Sequence, residues 1–137
     1  MDSRPPAIGR ARWIGFALVA VGIVHTIFGI AVMSSTLRVI AGEGFFYTVH
    51  GQPEREAVFW FLYSGFALMI MGGLVDWIES HGLALPRFFP WAFLAMTSVG
   101  AFLMPASGFW LLFPPIVGMF LRQKTNRRTE AAARLTT

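Results

Sequence analysis

The apolar residues of this chain are gathered into continuous runs that cover residues 13–33, 57–78, 88–104 and 106–121. A helix rises about 1.5 Å per residue, so each of the first two runs is long enough to cross a hydrocarbon core about 30 Å thick. Because 55% of the residues are hydrophobic and only 13% are charged, a soluble domain of this length could not bury its apolar surface. The chain is therefore predicted to be a membrane protein.

The third and fourth runs are shorter, and only a brief interruption separates them. Met104-Pro105-Ala106-Ser107-Gly108 predicts a turn there, since proline removes a backbone donor and glycine permits tight turns. The Pro114-Pro115 pair should kink the fourth run or leave its first half irregular. The prediction is an all-α fold, a single membrane domain over residues 1–137 that forms a bundle of four transmembrane helices.

The distribution of basic residues predicts an orientation. Three Lys and Arg residues precede the first run, one lies in the second loop and five lie in the tail, residues 122–137. The opposite side holds only Arg38 and Arg55, so the positive-inside rule places both termini in the cytoplasm. The first run exceeds the ~7–15 apolar residues of a signal peptide, so we expect it to be retained. The basic tail is expected to be a frayed helix or disordered.

Glycines recur every seven residues in the first two runs, which suggests how these helices pack. The first run carries Gly15, Gly22 and Gly29, and the second carries Gly65 and Gly72. Small residues let helix backbones approach in a membrane, so the two stripes are predicted to face each other. Chance is the alternative, since the chain has 14 glycines. An ion pair between Arg12 and Asp76 is also expected near the cytoplasmic ends of these two helices.

His25 is the one ionisable residue predicted to lie near the middle of the membrane. It follows Gly22 by three residues, which places it on the packed face of the helix. Ionisable groups at such depth are costly and are functional candidates by default. The structural alternative is a neutral histidine satisfied by a backbone carbonyl or by a serine such as Ser64.

The segment between the first two runs, residues 34–56, is long and aromatic for a plain connection. We expect it to be an outer loop in which Phe45, Phe46 and Tyr47 form a lid over the bundle. Glu54 and Glu56 precede the second run, where carboxylates suit the positive end of a helix dipole. That structural role is the alternative to a catalytic one.

The candidate site combines these residues. His25, Glu54 and Glu56 are the predicted acid–base groups, since a histidine and a carboxylate can move a proton on a lipid-soluble substrate. The predicted ligand-binding residues are His25, Tyr47, His50, Trp60 and Ser64. His50 and Glu54 could also hold a divalent metal, but Pro53 between them weakens that spacing and no metal site is predicted. The absence of cysteine excludes thiol chemistry, and no cofactor is identified.

Two segments carry a resemblance to known proteins, residues 22–29 (GIVHTIFG) and residues 54–61 (EREAVFWF). With the Pro-Pro pair in the short fourth run, they resemble small bacterial four-helix membrane proteins without assigned function. In architecture the chain is distantly similar to the DoxX-like membrane proteins. The resemblance implies a bacterial cytoplasmic membrane protein and carries no activity with it.

Three classes of function remain open. The first is a site that binds a lipid-soluble small molecule, with or without acid–base chemistry, so whether the chain is an enzyme is undecided. The second is a structural or partner subunit of a membrane complex, and the third is an oligomeric transporter. The expected partners are the lipid bilayer, an apolar small molecule and other copies of the chain. The basic ends flank apolar runs, so they indicate anionic lipid and not nucleic acid.

Overall fold

The computed structural model describes residues 13–135, and this range is all-helical, with no strand. Five α-helices and one short 3₁₀ helix follow one another along the chain. They are α1 (Ile14–Val32), α2 (Ser34–Gly42), α3 (Pro53–Ser80), α4 (Phe89–Leu103), the 3₁₀ helix (Gly108–Leu112) and α5 (Phe113–Leu135).

The antiparallel pair of α1 and α3 is the most extensive contact between helices. Each of the five glycines of the two predicted stripes is buried, so the glycine pairing is confirmed. At Gly72 a Cβ atom would come within 2.7 Å of the Val19 backbone nitrogen and 2.9 Å of the Gly15 carbonyl oxygen. Only glycine, whose side chain is a single hydrogen atom, allows the two helix backbones to lie this close.

Among the described helices, α1 and α3 are long and apolar enough to cross a membrane, and α4 is a shorter apolar helix. The irregularity predicted in the fourth run is confirmed, because its first part is the 3₁₀ helix. Pro114 and Pro115 then fall in the first turn of α5, where a helix has no need of their missing N–H groups. The helix continues to Leu135, which agrees with the helical alternative predicted for the basic tail.

The segment predicted to be an outer loop contains a helix. After a break at Met33 the chain forms α2, and the remaining connection is residues 43–52. Leu37 and Ile40 lie on the side of α2 that faces α3, whereas Arg38 and Val39 are exposed. This three-residue spacing of apolar side chains is the pattern of an amphipathic helix.

The best-packed part of the molecule is the region where α1, α3, α4 and α5 meet. The fully buried side chains of this cluster include Leu18, Val75, Ile116 and Met119. Thr97 of α4 is also fully buried. Elsewhere α1 and α3 are largely exposed along their apolar faces. The expected Arg12–Asp76 pair lies partly outside the described residues, because these begin at residue 13.

Candidate functional site

His25 lies half-buried between α1 and α3, with its ring stacked on Phe61 at a centroid distance of 4.0 Å. Its Nε2 atom is 3.0 Å from the Phe61 carbonyl oxygen and 3.2 Å from Ser64 Oγ. A carbonyl oxygen can only accept, so in the first contact the Nε2–H group of His25 donates to the Phe61 carbonyl. These are the partners expected of a histidine that holds two helices together.

A groove of about 770 Å³ lies between α2, the connection 43–52 and the first half of α3. The groove is open along one side, and its wall is mostly aromatic and aliphatic. Three of the predicted ligand-binding residues line it, namely Tyr47, His50 and Trp60, and so does the predicted catalytic residue Glu56. The structure therefore brings together the part of the predicted site that comes from the connection and the start of α3.

The other predicted site residues do not line the groove. His25 and Ser64 bond to each other and to Phe61 on the α1 side of α3. Glu54 is exposed on the first turn of α3, where its carboxylate suits the helix dipole. The structure therefore does not bring the predicted acid–base set together: His25 lies on α1 against α3, Glu56 lines the groove, and Glu54 is exposed.

Glu56 has a structural contact in addition to its place in the groove wall. Its Oε1 atom accepts a hydrogen bond of 2.8 Å from the backbone N–H of Gly51, which has a φ of +74°. The carboxylate thus fixes the left-handed turn that leads the connection into α3. Such left-handed geometry favours glycine, because other side chains are strained there.

An ion pair between Arg55 and Glu43, which was not predicted from the sequence, joins the start of α3 to the start of the connection. Arg55 donates to both carboxylate oxygens of Glu43, at 2.5 and 2.9 Å, and to the Thr48 carbonyl oxygen at 2.7 Å. The hydrogen bonds from Arg55 lower the pKa of the Glu43 carboxyl below its ordinary value. The sequence pattern that could have predicted this ion pair is the placement of opposite charges, Glu43 and Arg55, on either side of the aromatic segment.

Two aromatic residues of the connection have strained backbone conformations. Phe45 and Tyr47 have φ angles of +64° and +58°, which bulky residues rarely adopt. Both line the groove, while Phe46 between them is 92% exposed. Strain of this kind persists only where surrounding contacts over-determine it, and the Arg55 contacts to Glu43 and Thr48 close the chain on both sides of the two residues.

A second cluster that sequence reasoning missed lies at the opposite end of α3. The Glu79 side chain is fully buried and pairs with Arg122 of α5 at 2.5 Å, and the Arg122 side chain is 10% exposed. The other Glu79 oxygen accepts a bond of 3.0 Å from the backbone N–H of Gly15, in the first turn of α1. One carboxylate thus joins three helices.

No group of three or more histidine, aspartate or glutamate side chains within residues 13–135 could hold a metal ion. The lining of the groove is mostly aromatic and aliphatic, and it also includes the side chains of His50 and Glu56.

Comparison with known proteins identifies a match over residues 9–126 to DUF6463, a family of unknown function. The chain belongs to this family. The match covers most of the chain and agrees with the resemblance to proteins without assigned function, but it does not extend to the DoxX-like proteins. No curated protein and no solved structure matches the chain.

Proposed function

We propose that this chain is a multi-pass membrane protein that binds a lipid-soluble amphiphile in the groove between α2 and α3. Only 28% and 22% of the most apolar windows of α1 and α3 are buried inside the structure. The core helix of a soluble protein would be mostly buried, so these exposed apolar faces favour lipid as their surroundings. The tight packing of α1 on α3 argues further that α1 is a permanent element and not a cleaved signal.

The proposed topology has four crossings, made by α1, α3, α4 and the 3₁₀–α5 segment, with both termini in the cytoplasm. The charge asymmetry between the two sides supports this orientation. In this orientation the groove opens at the outer end of α3, and Phe45, Phe46 and Tyr47 lie at the membrane interface, where aromatic rings are favoured. The localisation that follows is the cytoplasmic membrane of a bacterium.

The observation that carries the binding proposal is the composition and position of the groove wall. Phe59, Trp60, Tyr63 and Phe66 supply an aromatic wall along α3, and His50 stands at the rim. A volume of about 770 Å³ falls within the ~300–1,000 Å³ of ligand sites. Such a wall suits an apolar chain, and the rim suits a polar head group beside the membrane surface.

Acid–base chemistry at His25, Glu54 and Glu56 is not part of this proposal. The His25 ring is engaged by Phe61 and Ser64, and Glu54 does not line the groove. Binding without chemistry is the function that the geometry supports best.

The test is mass spectrometry of the lipids that co-purify with the chain in mild detergent. Leu37→Trp should fill the groove and release the enriched amphiphile, because Leu37 lines the wall. Val39→Trp is the matched control, since Val39 lies on the same helix and is 48% exposed away from the groove. Equal retention by both variants would reject the groove as the site. A wild-type chain that enriches no molecule over bulk lipid would favour the subunit or transporter alternatives.

Topology is tested separately by single cysteines in this cysteine-free chain. A membrane-impermeant maleimide should label cysteines at Tyr47 and Ser107 from outside the cell. Cysteines at Ser80 and Thr137 should react only after the membrane is opened. Labelling at Thr137 in intact cells would reject the proposed orientation.

A further inference from the structure

We propose that the exposed basic stripe of α5, formed by Lys124, Arg127 and Arg128, binds the anionic head groups of the lipid leaflet at which α3 ends. This inference rests on the proposed membrane insertion but not on the groove.

The start of the stripe is fixed in space by contacts just before it. Arg122 is bound to Glu79 and lies 3.4 Å from the Leu83 carbonyl oxygen. The Gln123 side chain donates to the Pro86 carbonyl oxygen at 3.0 Å. These bonds hold α5 against the end of α3 and the connection that follows, so the next turns of α5 leave the packed region from a defined point.

The three basic residues of the stripe share one helix face, because they are spaced three and four residues apart. All three are exposed, and the structure gives none of them an ion pair with a described residue. Arg122 is different, since its charge is already compensated by Glu79. The stripe therefore carries positive charge that the described chain does not neutralise.

The distances match the reach of a charged membrane surface. Arg128 follows Arg122 by six residues, or about 9 Å along a helix. The potential of an anionic leaflet decays over the Debye length, about 8 Å at physiological ionic strength. Trp77, on the last turns of α3, is 52% exposed, as expected of a side chain at the lipid–water interface. Along the helix, Lys124 and Arg127 thus lie within about one Debye length of Arg122, and Arg128 lies just beyond it.

The test compares lipid selectivity at the surface of the full chain. The protein is reconstituted into phosphatidylcholine bilayers with trace spin-labelled phosphatidylglycerol or phosphatidylcholine. Electron paramagnetic resonance then gives the association of each lipid with the protein. The wild-type chain should prefer phosphatidylglycerol by about fivefold or more, and ~1 M salt should reduce this preference.

Replacing Lys124, Arg127 and Arg128 together by glutamine should bring the preference close to one. The charge-preserving variant Lys124→Arg, Arg127→Lys and Arg128→Lys should keep it, as should Arg38→Gln, because Arg38 lies on α2 at the other end of the molecule. An unchanged preference in the glutamine variant would overturn the proposal. So would competition by millimolar inorganic phosphate, which would indicate a site for a soluble anion. Absence of any protein-associated lipid signal would instead reject membrane insertion itself.

Discussion

The sequence allows both a functional and a structural interpretation of His25, and the structure favours the structural one. Its predicted depth and its place on the glycine face are compatible with a functional group and with a packing group alike. The structure gives its ring Phe61 as stacking partner and carbonyl acceptor, and Ser64 beside it. Polar contacts between helices in lipid contribute modestly, on average about 0.6 kcal/mol.

Replacement of His25 by leucine is therefore expected to lower the free energy of unfolding by about 0.5–1.5 kcal/mol, the net value of one hydrogen bond. Retention of the co-purified amphiphile should not change, because His25 does not line the groove. Thermal unfolding in detergent and lipid mass spectrometry measure the two effects. Loss of the amphiphile from a chain of unchanged stability would restore His25 as a site residue.

Glu43 provides a residue-scale prediction about pH. Hydrogen bonds from Arg55 lower the pKa of Glu43 in the folded chain, so the contact stabilises the connection above the ordinary glutamate pKa. This contribution is lost as the pH falls through the lowered folded-state value. Carbon-13 NMR of labelled glutamate should show the Glu43 carboxyl titrating at a higher pH in Arg55→Gln than in the wild-type chain. An identical titration in the two proteins would contradict the ion pair.

At the scale of elements, the pairing of α1 and α3 depends on which glycines face the partner helix. Gly72 and Gly73 are adjacent in α3 but meet different surroundings. A Cβ atom at Gly72 would collide with the α1 backbone, whereas one at Gly73 would have nothing within 4 Å. The two positions thus form a matched pair for testing the interface.

Gly72→Ala should destabilise the chain by roughly 1–3 kcal/mol, because the α1 backbone cannot move aside as a flexible side chain can. Gly73→Ala should be neutral or stabilise by up to about 1 kcal/mol, since alanine is the better helix former. Thermal unfolding of both variants in the same detergent measures the difference. Equal losses would show that both faces of α3 are packed.

At the scale of the whole molecule, Glu79 connects parts of the chain that are far apart in sequence. Its carboxylate bonds the first turn of α1 and the basic side chain of Arg122 in α5. A buried ion pair is costly to form, but removal of one partner leaves the other charge buried and uncompensated. The cluster is therefore expected to couple α5 to the α1–α3 pair.

Glu79→Ala should cost about 3–5 kcal/mol, as expected when one partner of a buried ion pair is removed. Glu79→Leu combined with Arg122→Met should cost less than Glu79→Ala alone, because no buried charge then remains. Glu54→Ala, which removes an exposed carboxylate from the same helix, is the control and should change stability little. A double variant as unstable as Glu79→Ala would contradict a role for the uncompensated charge.

The sequence by itself determined the helical class, the helix pairing and the irregular fourth run. These features follow from local patterns: the length of apolar runs, glycines every seven residues, and the Pro114-Pro115 pair. Each of these patterns lies within a single continuous segment of the chain, so it can be recognised without knowledge of a partner helix.

Only the tertiary structure decided which polar residues meet. Arg55 reaches Glu43 across 12 residues, and Arg122 reaches Glu79 across 43. The groove likewise required α2 to fold back on α3, which separated His50 and Glu56 from His25. Such contacts depend on how helix faces are rotated against one another. That rotation is fixed by the whole set of packed side chains, and no local pattern in the sequence determines it.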